Sequence, residues 1–310
     1  MTLALQLRGV VKRYGRLRAL DGLDLDVPTG CCLGLVGANG AGKTTLISVS
    51  AGFLRPQAGQ VNVLGLGPFD ARRHAGRVGV LPQDARPPPH ARVGELLHFY
   101  GALQGLRGAS LASAVATALE RAHLSDRRQT PAAALSHGMQ RRFSVAQALL
   151  GEPELVLLDE PLAGLDPREA VRMRGLLVDL RRDGGMTLVI SSHQLPDIEM
   201  LCDEVAFVDR GRRVRQDALR NVTGRDSILE ITLESTAGLP WEDLRRAFPA
   251  PDYTLSETAG GLRLESHGAA AGEADLNARL LPLLLAANAR IREIRAGDPL
   301  EQAYLRQVGH

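Results

Sequence analysis

The sequence contains a run of small residues and glycines that has the composition of a phosphate-binding loop. Only two lysines occur in the chain, Lys12 and Lys43, and Lys43 lies inside the pattern G-x-x-x-x-G-K-[ST]. Backbone N–H groups of such a loop surround the phosphates of a nucleotide, and the lysine reaches the β- and γ-phosphates as a compact charge that a wide guanidinium could not replace. The residues predicted to bind nucleotide are Gly37, Ala38, Asn39, Gly40, Ala41, Gly42, Lys43, Thr44 and Thr45, here called the phosphate loop, and the Thr44 hydroxyl is also predicted to bind Mg²⁺.

Two carboxylates, Asp159 and Glu160, follow the apolar residues 155–158. This order predicts a buried strand with both acids at its carboxyl end, where α/β sheets bind ligands. Asp159 is predicted to hold Mg²⁺ through water, and Glu160 to polarise a water molecule that attacks the γ-phosphate. A strand that simply ends in solvated acids is common, but the phosphate loop upstream disfavours that alternative.

A third motif, LSHGMQ, lies at residues 135–140 and is here called the signature segment. It resembles the signature Leu-Ser-Gly-Gly-Gln of the ATP-binding cassette (ABC) superfamily, which opens a helix. Ser136 and Gly138 match the signature, whereas His137 and Met139 depart from it. The serine hydroxyl and the glycine N–H at a helix start would together form a clamp for a γ-phosphate.

The resemblance continues through the remaining family motifs in their usual order, over residues 3 to about 219. It implies that Tyr14 stacks on adenine, that Gln83 contacts Mg²⁺ and the attacking water, and that His193 contacts the γ-phosphate. Residues 163–166 resemble the loop that communicates between paired subunits. The resemblance therefore implies ATP and Mg²⁺ as cofactors, with Glu160, His193 and Gln83 as catalytic residues and Thr44, Gln83 and Asp159 as metal-binding residues.

The resemblance also implies partners. In this superfamily two cassettes pair head to tail, so that Ser136 and Gly138 of one chain complete the nucleotide site of the other. A homodimer, or a pair with a related ATPase, is therefore expected, together with a separately encoded membrane permease. Residues 300–305 resemble the ending of ATPases that serve bacterial ABC-2-type exporters, although an amphipathic tail helix explains them equally well. The expected location is the cytoplasmic face of the inner (plasma) membrane, peripheral through the permease.

The alternative function is a soluble cassette ATPase that acts on ribosomes or DNA without a membrane partner. Such translation factors usually carry two cassettes in one chain, and such repair proteins carry long coiled-coil or zinc insertions; the sequence shows neither. A phosphate-loop kinase would not explain the signature segment, Gln83 and His193 together. The net charge of +2 gives no electrostatic reason to expect nucleic acid as a partner.

Hydrophobic periodicity predicts an α/β fold of two domains. The resemblance implies an ABC-type nucleotide-binding domain over residues 1–220, with an antiparallel β subdomain and a helical insertion at about 84–150. Alternating apolar residues near its start are typical of antiparallel strands at the edge of a sheet, and continuous apolar runs predict parallel strands in its core. A small ferredoxin-like α+β domain, ordered βαββαβ with a tail helix, is expected over 221–310, with Pro282 interrupting its longest helix. The three cysteines have no metal-ligand spacing, the first residues do not resemble a signal peptide, and no apolar run approaches the ~20 residues of a membrane-spanning helix.

Overall fold

The strands next to the phosphate loop are short, apolar and completely buried. A computed structural model describes residues 2–182, 185–225, 227–267 and 273–308, and it divides the chain into two compact units, Met1–Gln216 and Asp217–His310. The strands of the first unit are β1 (Leu3–Tyr14), β2 (Leu17–Pro28), β3 (Cys32–Val36), β4 (Ala58–Val63), β5 (Val78–Leu81), β6 (Leu155–Asp159), β7 (Thr187–Ser192), β8 (Glu204–Asp209) and β9 (Arg212–Ala218). Its helices are α1 (Lys43–Ser50), α2 (Val93–Leu103), α3 (Gly108–Arg121), α4 (His137–Ala148), α5 (Pro167–Arg182) and α6 (Leu195–Leu201).

A six-stranded sheet in the order β5-β6-β7-β3-β8-β9 forms the centre of the first unit. Strand β3 pairs in parallel with β7 and β8, and β6 pairs in parallel with β5 and β7. Every residue of β3, β6 and β7 is buried, as expected for parallel strands that are covered on both faces. The phosphate loop and the two carboxylates therefore lie at the same edge of this sheet, because β3 and β6 are parallel central strands on either side of β7 and their carboxyl ends meet at that edge.

The N-terminal strands form an antiparallel sheet of their own, in agreement with the predicted antiparallel β subdomain. Strand β1 lies in the middle of a three-stranded antiparallel sheet, between β2 and β4. Both β1 and β2 extend further than their apolar alternation predicts, since register shifts keep them paired to the Tyr14–Leu17 turn. This pairing carries Tyr14 to the end of the sheet.

The stretch 84–150, which is fully described, is built from α2, α3, α4 and two short 3₁₀ turns. Helix α4 returns to the central sheet and lies against β5. A Cβ atom at Gly79 of β5 would stand 1.9 Å from the carbonyl oxygen of Ala148, so only glycine permits this close approach. The insertion is therefore anchored to the sheet by the helix that follows the signature segment.

The second unit has the element order expected from the sequence. Its elements are α7 (Leu219–Thr223), β10 (Ile228–Leu233), α8 (Trp241–Ala247), β11 (Tyr253–Thr258), β12 (Gly261–Ser266), α9 (Glu273–Ala286), β13 (Ile291–Ala296) and α10 (Leu300–Val308). The four-stranded antiparallel sheet has the order β11-β12-β10-β13, which is that of a split βαβ arrangement.

Leucines of β10, β12 and α9 form the core of this unit, and Trp241 packs against that core while partly exposed. Helix α9 continues through Pro282, at the cost of one backbone hydrogen bond.

Within the residues that the structure describes, no helix combines the length and the apolar character that crossing a membrane would require.

Candidate functional site

The phosphate loop connects β3 to α1 with a backbone that requires glycine at two places. A Cβ atom at Gly37 would stand 2.3 Å from the carbonyl oxygen of Val208, so the chain passes too close to β8 for any side chain. Gly42, the residue before α1, has a φ of 112° and lies against the backbone of Ala19. These constraints aim the N-terminal end of α1, with its unpaired N–H groups, at the space where a phosphate would lie.

A cavity of about 410 Å³ opens beside this loop. Most of the predicted nucleotide-binding residues line it, and Gln83 and Glu160 approach it from other parts of the first unit. The lining residues are Tyr14, Leu17, Ala19, Ala38, Asn39, Gly40, Gly42, Lys43, Thr44, Thr45, Gln83 and Glu160. Residues separated by more than a hundred positions in the chain therefore meet at one cavity of a size typical for small-molecule ligands.

Lys43 is buried and is held by the loop itself. Its Nζ donates hydrogen bonds to the carbonyl oxygens of Gly37 at 2.6 Å and Ala38 at 3.3 Å. A third neighbour is Oε1 of Glu160, 3.8 Å from Nζ. Burial lowers the pKa of Lys43, while the carboxylates of Glu160 and Asp159 act in the opposite direction. The ammonium is thus positioned at the loop, with carboxylates near enough to favour its charged form.

Asp159 and Glu160 are organised by Ser191, which occupies the facing position on β7. The Ser191 hydroxyl donates to Oδ1 of Asp159 at 2.6 Å and accepts from the backbone N–H of Glu160 at 2.9 Å. Glu160 has a φ of 51°, a left-handed conformation that is costly for a residue with a side chain. This turn directs the Glu160 carboxylate into the cavity, while Asp159 stays 1% exposed below it.

His193 contacts the same carboxylate. Its Nδ1 lies 2.8 Å from Oε2 of Glu160. An ionised carboxylate only accepts hydrogen bonds, so Nδ1 carries the proton in this contact and Nε2 remains for another partner. The His193 side chain is 48% exposed, in contrast to the buried Glu160. His193 is not among the residues that line the cavity, and its connection to the cavity is the contact with Glu160.

The predicted metal-binding residues offer oxygen atoms of three kinds. The Thr44 hydroxyl lies 3.4 Å from the Gln83 amide oxygen, and both residues line the cavity. Asp159 is buried, bonds to Ser191 and is not among the lining residues. Hydroxyl, amide and carboxylate oxygens suit Mg²⁺, which usually keeps several waters and takes one or two carboxylates together with substrate phosphates. Across the described parts of the chain, no cluster of three or more His, Cys, Asp or Glu side chains could hold a metal ion, so this donor set is of a different kind.

Ser136 and Gly138 lie at the start of α4 and are absent from the described lining of the cavity. The Ser136 hydroxyl caps the helix by accepting from the N–H of Met139 at 3.2 Å, and Ser136 is exposed. Gly138 is buried in the first helical turn, where a Cβ would stand 2.4 Å from the Glu169 side chain. The structure therefore separates the signature segment from the phosphate loop of the same chain.

Tyr14 is 48% exposed, lines the cavity and is contacted by Lys12. Nζ of Lys12 lies 5.8 Å from the centre of the Tyr14 ring and donates to the carbonyl oxygen of Arg55 at 2.8 Å. Gln57 accepts from the N–H of Arg13 at 3.0 Å and donates to its carbonyl oxygen at 3.2 Å. Tyr14 is thus held relative to the segment that follows α1.

The segment 163–166 ends in a helix cap. Oδ1 of Asp166 accepts from the N–H groups of Arg168 and Glu169, both at 3.0 Å, at the first turn of α5. Asp166 therefore has a structural role within this chain, and the residues before it form the turn between Glu160 and α5.

Two residues at the site, Ser191 and Arg141, belong to none of the motifs recognised in the sequence. Ser191 lies two positions before His193, and the sequence predicts no role for it. Arg141 of α4 is buried and donates hydrogen bonds to the backbone carbonyl oxygens of Gln83, Asp159 and Glu160. The signal for Ser191 is the register of β6 and β7, which pairs it with Asp159. For Arg141 it is a basic residue directly after the signature segment, in a helix most of whose residues are buried.

Comparison with known proteins places this arrangement in a family. The profile of the ABC transporter family matches residues 20–163. The Nod factor export ATP-binding protein I of Cupriavidus metallidurans is 38% identical over 70% of this chain and 71% of its own length. The corresponding protein of Ralstonia nicotianae is also 38% identical, and this chain spans 66% of its length. The daunorubicin resistance ATP-binding protein DrrA3 of Streptomyces coeruleorubidus is 37% identical over 84% of this chain and 86% of its own length.

Solved structures agree on the fold. The cbiO1 protein of Clostridium perfringens, part of an ABC transporter complex, aligns with a TM-score of 0.63 and 27% identity over 72% of this chain and 92% of that one. A nucleotide-free ATP-binding cassette from an ABC transporter aligns with a TM-score of 0.61 and 26% identity over 70% of this chain and 92% of that chain. The chain therefore belongs to the ABC transporter family, within which it is an ATP-binding cassette with an ATPase fold.

Proposed function

We propose that this chain is the ATP-hydrolysing subunit of a bacterial ABC transporter and energises export through a separately encoded membrane permease. The observation that carries the proposal is the single cavity that brings Tyr14, the phosphate loop, Gln83 and Glu160 together. The direction of transport rests on relatives whose names specify Nod factor export and daunorubicin resistance. The expected location is the cytoplasmic face of the inner membrane, peripheral through the permease.

In this proposal, adenine stacks on Tyr14 and the triphosphate extends along the phosphate loop to Lys43. The N–H groups at the start of α1 and the Lys43 ammonium stabilise negative charge on the phosphates. Mg²⁺ held by Thr44, Gln83 and Asp159 would neutralise further phosphate charge when it is bound. Glu160 accepts a hydrogen bond from a water molecule and so directs a lone pair of that water at the γ-phosphate.

His193 has two functions in this scheme. Its contact with Oε2 of Glu160, at 2.8 Å, fixes one carboxylate oxygen and leaves Oε1 for the water. Its exposed Nε2 is then available to the γ-phosphate. The work of the site is positioning and charge stabilisation rather than covalent chemistry.

A second copy of the chain, or a related ATPase, completes the site. Ser136 and Gly138 do not line the cavity of their own chain, yet the exposed serine hydroxyl and the helix N-terminus form an anion-binding end. Head-to-tail pairing would bring this end to the γ-phosphate bound by the partner. Dimeric cassettes with the same fold, one of them with bound ADP and phosphate, support such pairing in outline.

Replacement of Glu160 by glutamine tests the assignment of the base. The amide keeps the size of the side chain but is a poor proton acceptor, so we expect ATP binding to persist and turnover to fall by ~10²–10⁴-fold. Nucleotide binding and single-turnover phosphate release measure the two quantities separately. Glu120→Gln, at an exposed position of α3, is the matched control and should leave both unchanged. Turnover near the wild-type value in Glu160→Gln would contradict the role of Glu160.

Fractionation of the native host tests the partner. We expect the chain in the membrane fraction, and its release from that fraction when the membrane-protein gene of the same operon is deleted. A chain that instead co-sediments with ribosomes or binds DNA, with no dependence on any membrane protein, would contradict the transport function while leaving the ATPase assignment intact.

A further inference from the structure

Helix α4 contains a buried guanidinium that contacts the backbone of three residues of the proposed hydrolysis site. Arg141 is 6% exposed. One of its Nη groups donates to the carbonyl oxygen of Gln83 at 2.7 Å. The other donates to the carbonyl oxygens of Glu160 at 2.7 Å and Asp159 at 3.1 Å. We propose, building on the function above, that Arg141 is a positioning residue that sets the backbone geometry of Gln83 and Glu160 for hydrolysis.

The need for such a residue follows from where the sheet ends. The pairing of β5 with β6 stops at Leu81 and Leu158, so Gln83, Asp159 and Glu160 have no partner in the ladder between these two strands, although Asp159 still pairs with Ser191 of β7. Buried carbonyl groups that have left a ladder require another donor. The two Nη groups of Arg141 lie between the two departing segments and supply donors to both.

The contacts define the conformation of Glu160 in particular. The peptide groups on either side of its Cα atom carry the carbonyl oxygens of Asp159 and Glu160, and Arg141 bonds to both. Ser191 holds the N–H of the first peptide group, and the N–H of Ala163 donates to the carbonyl oxygen of the second at 3.1 Å. Fixing both peptide planes fixes φ and ψ of Glu160. Its φ of 51° costs energy for a residue with a Cβ, so it persists only when its surroundings enforce it.

Arginine is suited to this position by its shape. Its planar fork can donate to three acceptors at once, whereas an ammonium is a single point charge. Its Nε–H has no hydrogen-bond partner among the described residues, so the guanidinium is held through its two Nη groups. Burial lowers the pKa of Arg141, and the nearby carboxylates of Asp159, Asp84 and Glu160 oppose this effect. Burying a charge at this position costs free energy, so an apolar residue would be expected if the side chain only filled space.

The position of α4 itself depends on other contacts. At its C-terminal end the backbone of Ala148 lies against Gly79, about two helical turns from Arg141. Arg142, the next residue, is 3% exposed and bonds to Glu169 and to the carbonyl oxygens of Ala122 and His123, away from the cavity. Loss of Arg141 should therefore loosen the hydrolysis site while α4 stays in place. In the proposed pair, α4 presents Ser136 to the partner's site and Arg141 to its own.

Arg141→Met tests the inference, with Arg142→Met as the matched loss of a buried arginine from the same helix. For Arg141→Met we expect a nucleotide Kd within about threefold of wild type, a kcat reduced by about 10–100-fold and a several-fold higher Mg²⁺ concentration for half-maximal rate. Arg141→Lys should recover part of the kcat, because an ammonium can still reach one or two of the carbonyls. Arg142→Met should leave the Mg²⁺ dependence unchanged even where it lowers the melting temperature.

Amide hydrogen exchange without nucleotide gives a readout that does not depend on catalysis. Exchange should rise in Arg141→Met at the amides of Glu160 and Ala163, and not in Arg142→Met. Unchanged exchange and kcat in Arg141→Met, or equal effects of both variants, would overturn the inference. If Arg141→Met fails to fold, Arg141→Lys and Arg141→Gln are compared instead by the same measurements. A wild-type chain without ATPase activity would refute the proposed function. The exchange measurement would still show whether Arg141 restrains the backbone at Glu160.

Discussion

Lys43 shows how one side chain can be required for its shape as well as its charge. Its ammonium lies between the carbonyl oxygens of Gly37 and Ala38 and is 6% exposed, so there is no room for a wider head group. We expect Lys43→Arg to weaken ATP binding by at least about tenfold, since the planar guanidinium would displace the loop. Lys12→Arg, at the only other lysine, keeps a donor for the Arg55 carbonyl oxygen and a cation beside Tyr14. It should bind ATP within about twofold of wild type in the same titration. Equal affinities for all three proteins would contradict the steric explanation.

Asp197 gives the stability of the first unit a defined pH dependence. It is 5% exposed, and Nε of Arg174 lies 3.5 Å from its Oδ1. Burial raises the pKa of Asp197 above 3.8, opposed by Arg174 and His193 and assisted by Glu160. An acid whose folded-state pKa is raised contributes stability that is fully present below pH 3.8 and is lost as the pH rises through the folded-state pKa.

Replacement of Asp197 by asparagine removes that titration. The free energy of unfolding of Asp197→Asn minus that of wild type should therefore increase as the pH rises from about 4 to 7, because only the wild type loses this contribution. Urea denaturation at several pH values measures this difference. A difference that is constant, or that shrinks with rising pH, would show that burial does not dominate at this carboxyl group.

Single residues were predictable where the motif is local. The phosphate loop is a continuous run whose chemistry can be recognised from spacing alone. Ser191 and Arg141 were not assigned roles, because each acts on residues that are distant in the sequence and are brought close only by strand register or by helix packing. A serine and an arginine have many ordinary positions in a folded chain, so residue type alone does not reveal these roles.

The packing of α4 on β5 is the element contact on which the site most depends. Gly79→Ala would place a methyl group 1.9 Å from the carbonyl oxygen of Ala148, and backbone atoms on both sides cannot move aside cheaply. We expect a loss of about 3 kcal/mol in the free energy of unfolding. Gly175→Ala is the matched control, because Gly175 is exposed within α5 and a Cβ there would meet nothing within 4 Å. It should gain about 0.5–1 kcal/mol. Similar values for both variants would contradict the close approach.

The hydrophobic pattern predicts which segments are helices and which are strands. It does not predict which strands pair with the N-terminal strands. Alternation in β1 and β2 identifies a buried face and antiparallel strands, without indicating which sheet they join. The pairing of β1 with β4 closes a separate sheet and depends on side-chain packing between segments about 50 residues apart. Pro282 was expected to interrupt α9, and the helix instead continues through it, because tertiary packing of its leucines outweighs one missing hydrogen bond.

At the scale of the whole molecule, the placement of Ser136 outside the cavity predicts that activity depends on concentration. If the site is completed only by a second chain, turnover per chain should fall on dilution, in parallel with conversion from dimer to monomer. Light scattering and ATPase assays over the same concentration series, with saturating ATP and Mg²⁺, make the comparison. Turnover per chain that remains constant down to the monomer would contradict the composite site.

The α/β class and the family were predictable because several motifs occur in a fixed order over the first unit. The division into units lies between Gln216 and Asp217, a few residues before the predicted boundary after residue 220. Sequence pattern placed the change after the hairpin of β8 and β9. By compactness, the last two residues of β9, Asp217 and Ala218, belong to the second unit.

The location of the only tryptophan has a spectroscopic consequence. Trp241 begins α8 and packs on the core of the second unit, whereas the first unit contains no tryptophan. Selective excitation of the indole therefore reports on the second unit alone, while circular dichroism reports on both. A denaturation curve followed by both signals would resolve whether the two units unfold together or in separate transitions, without any introduced label.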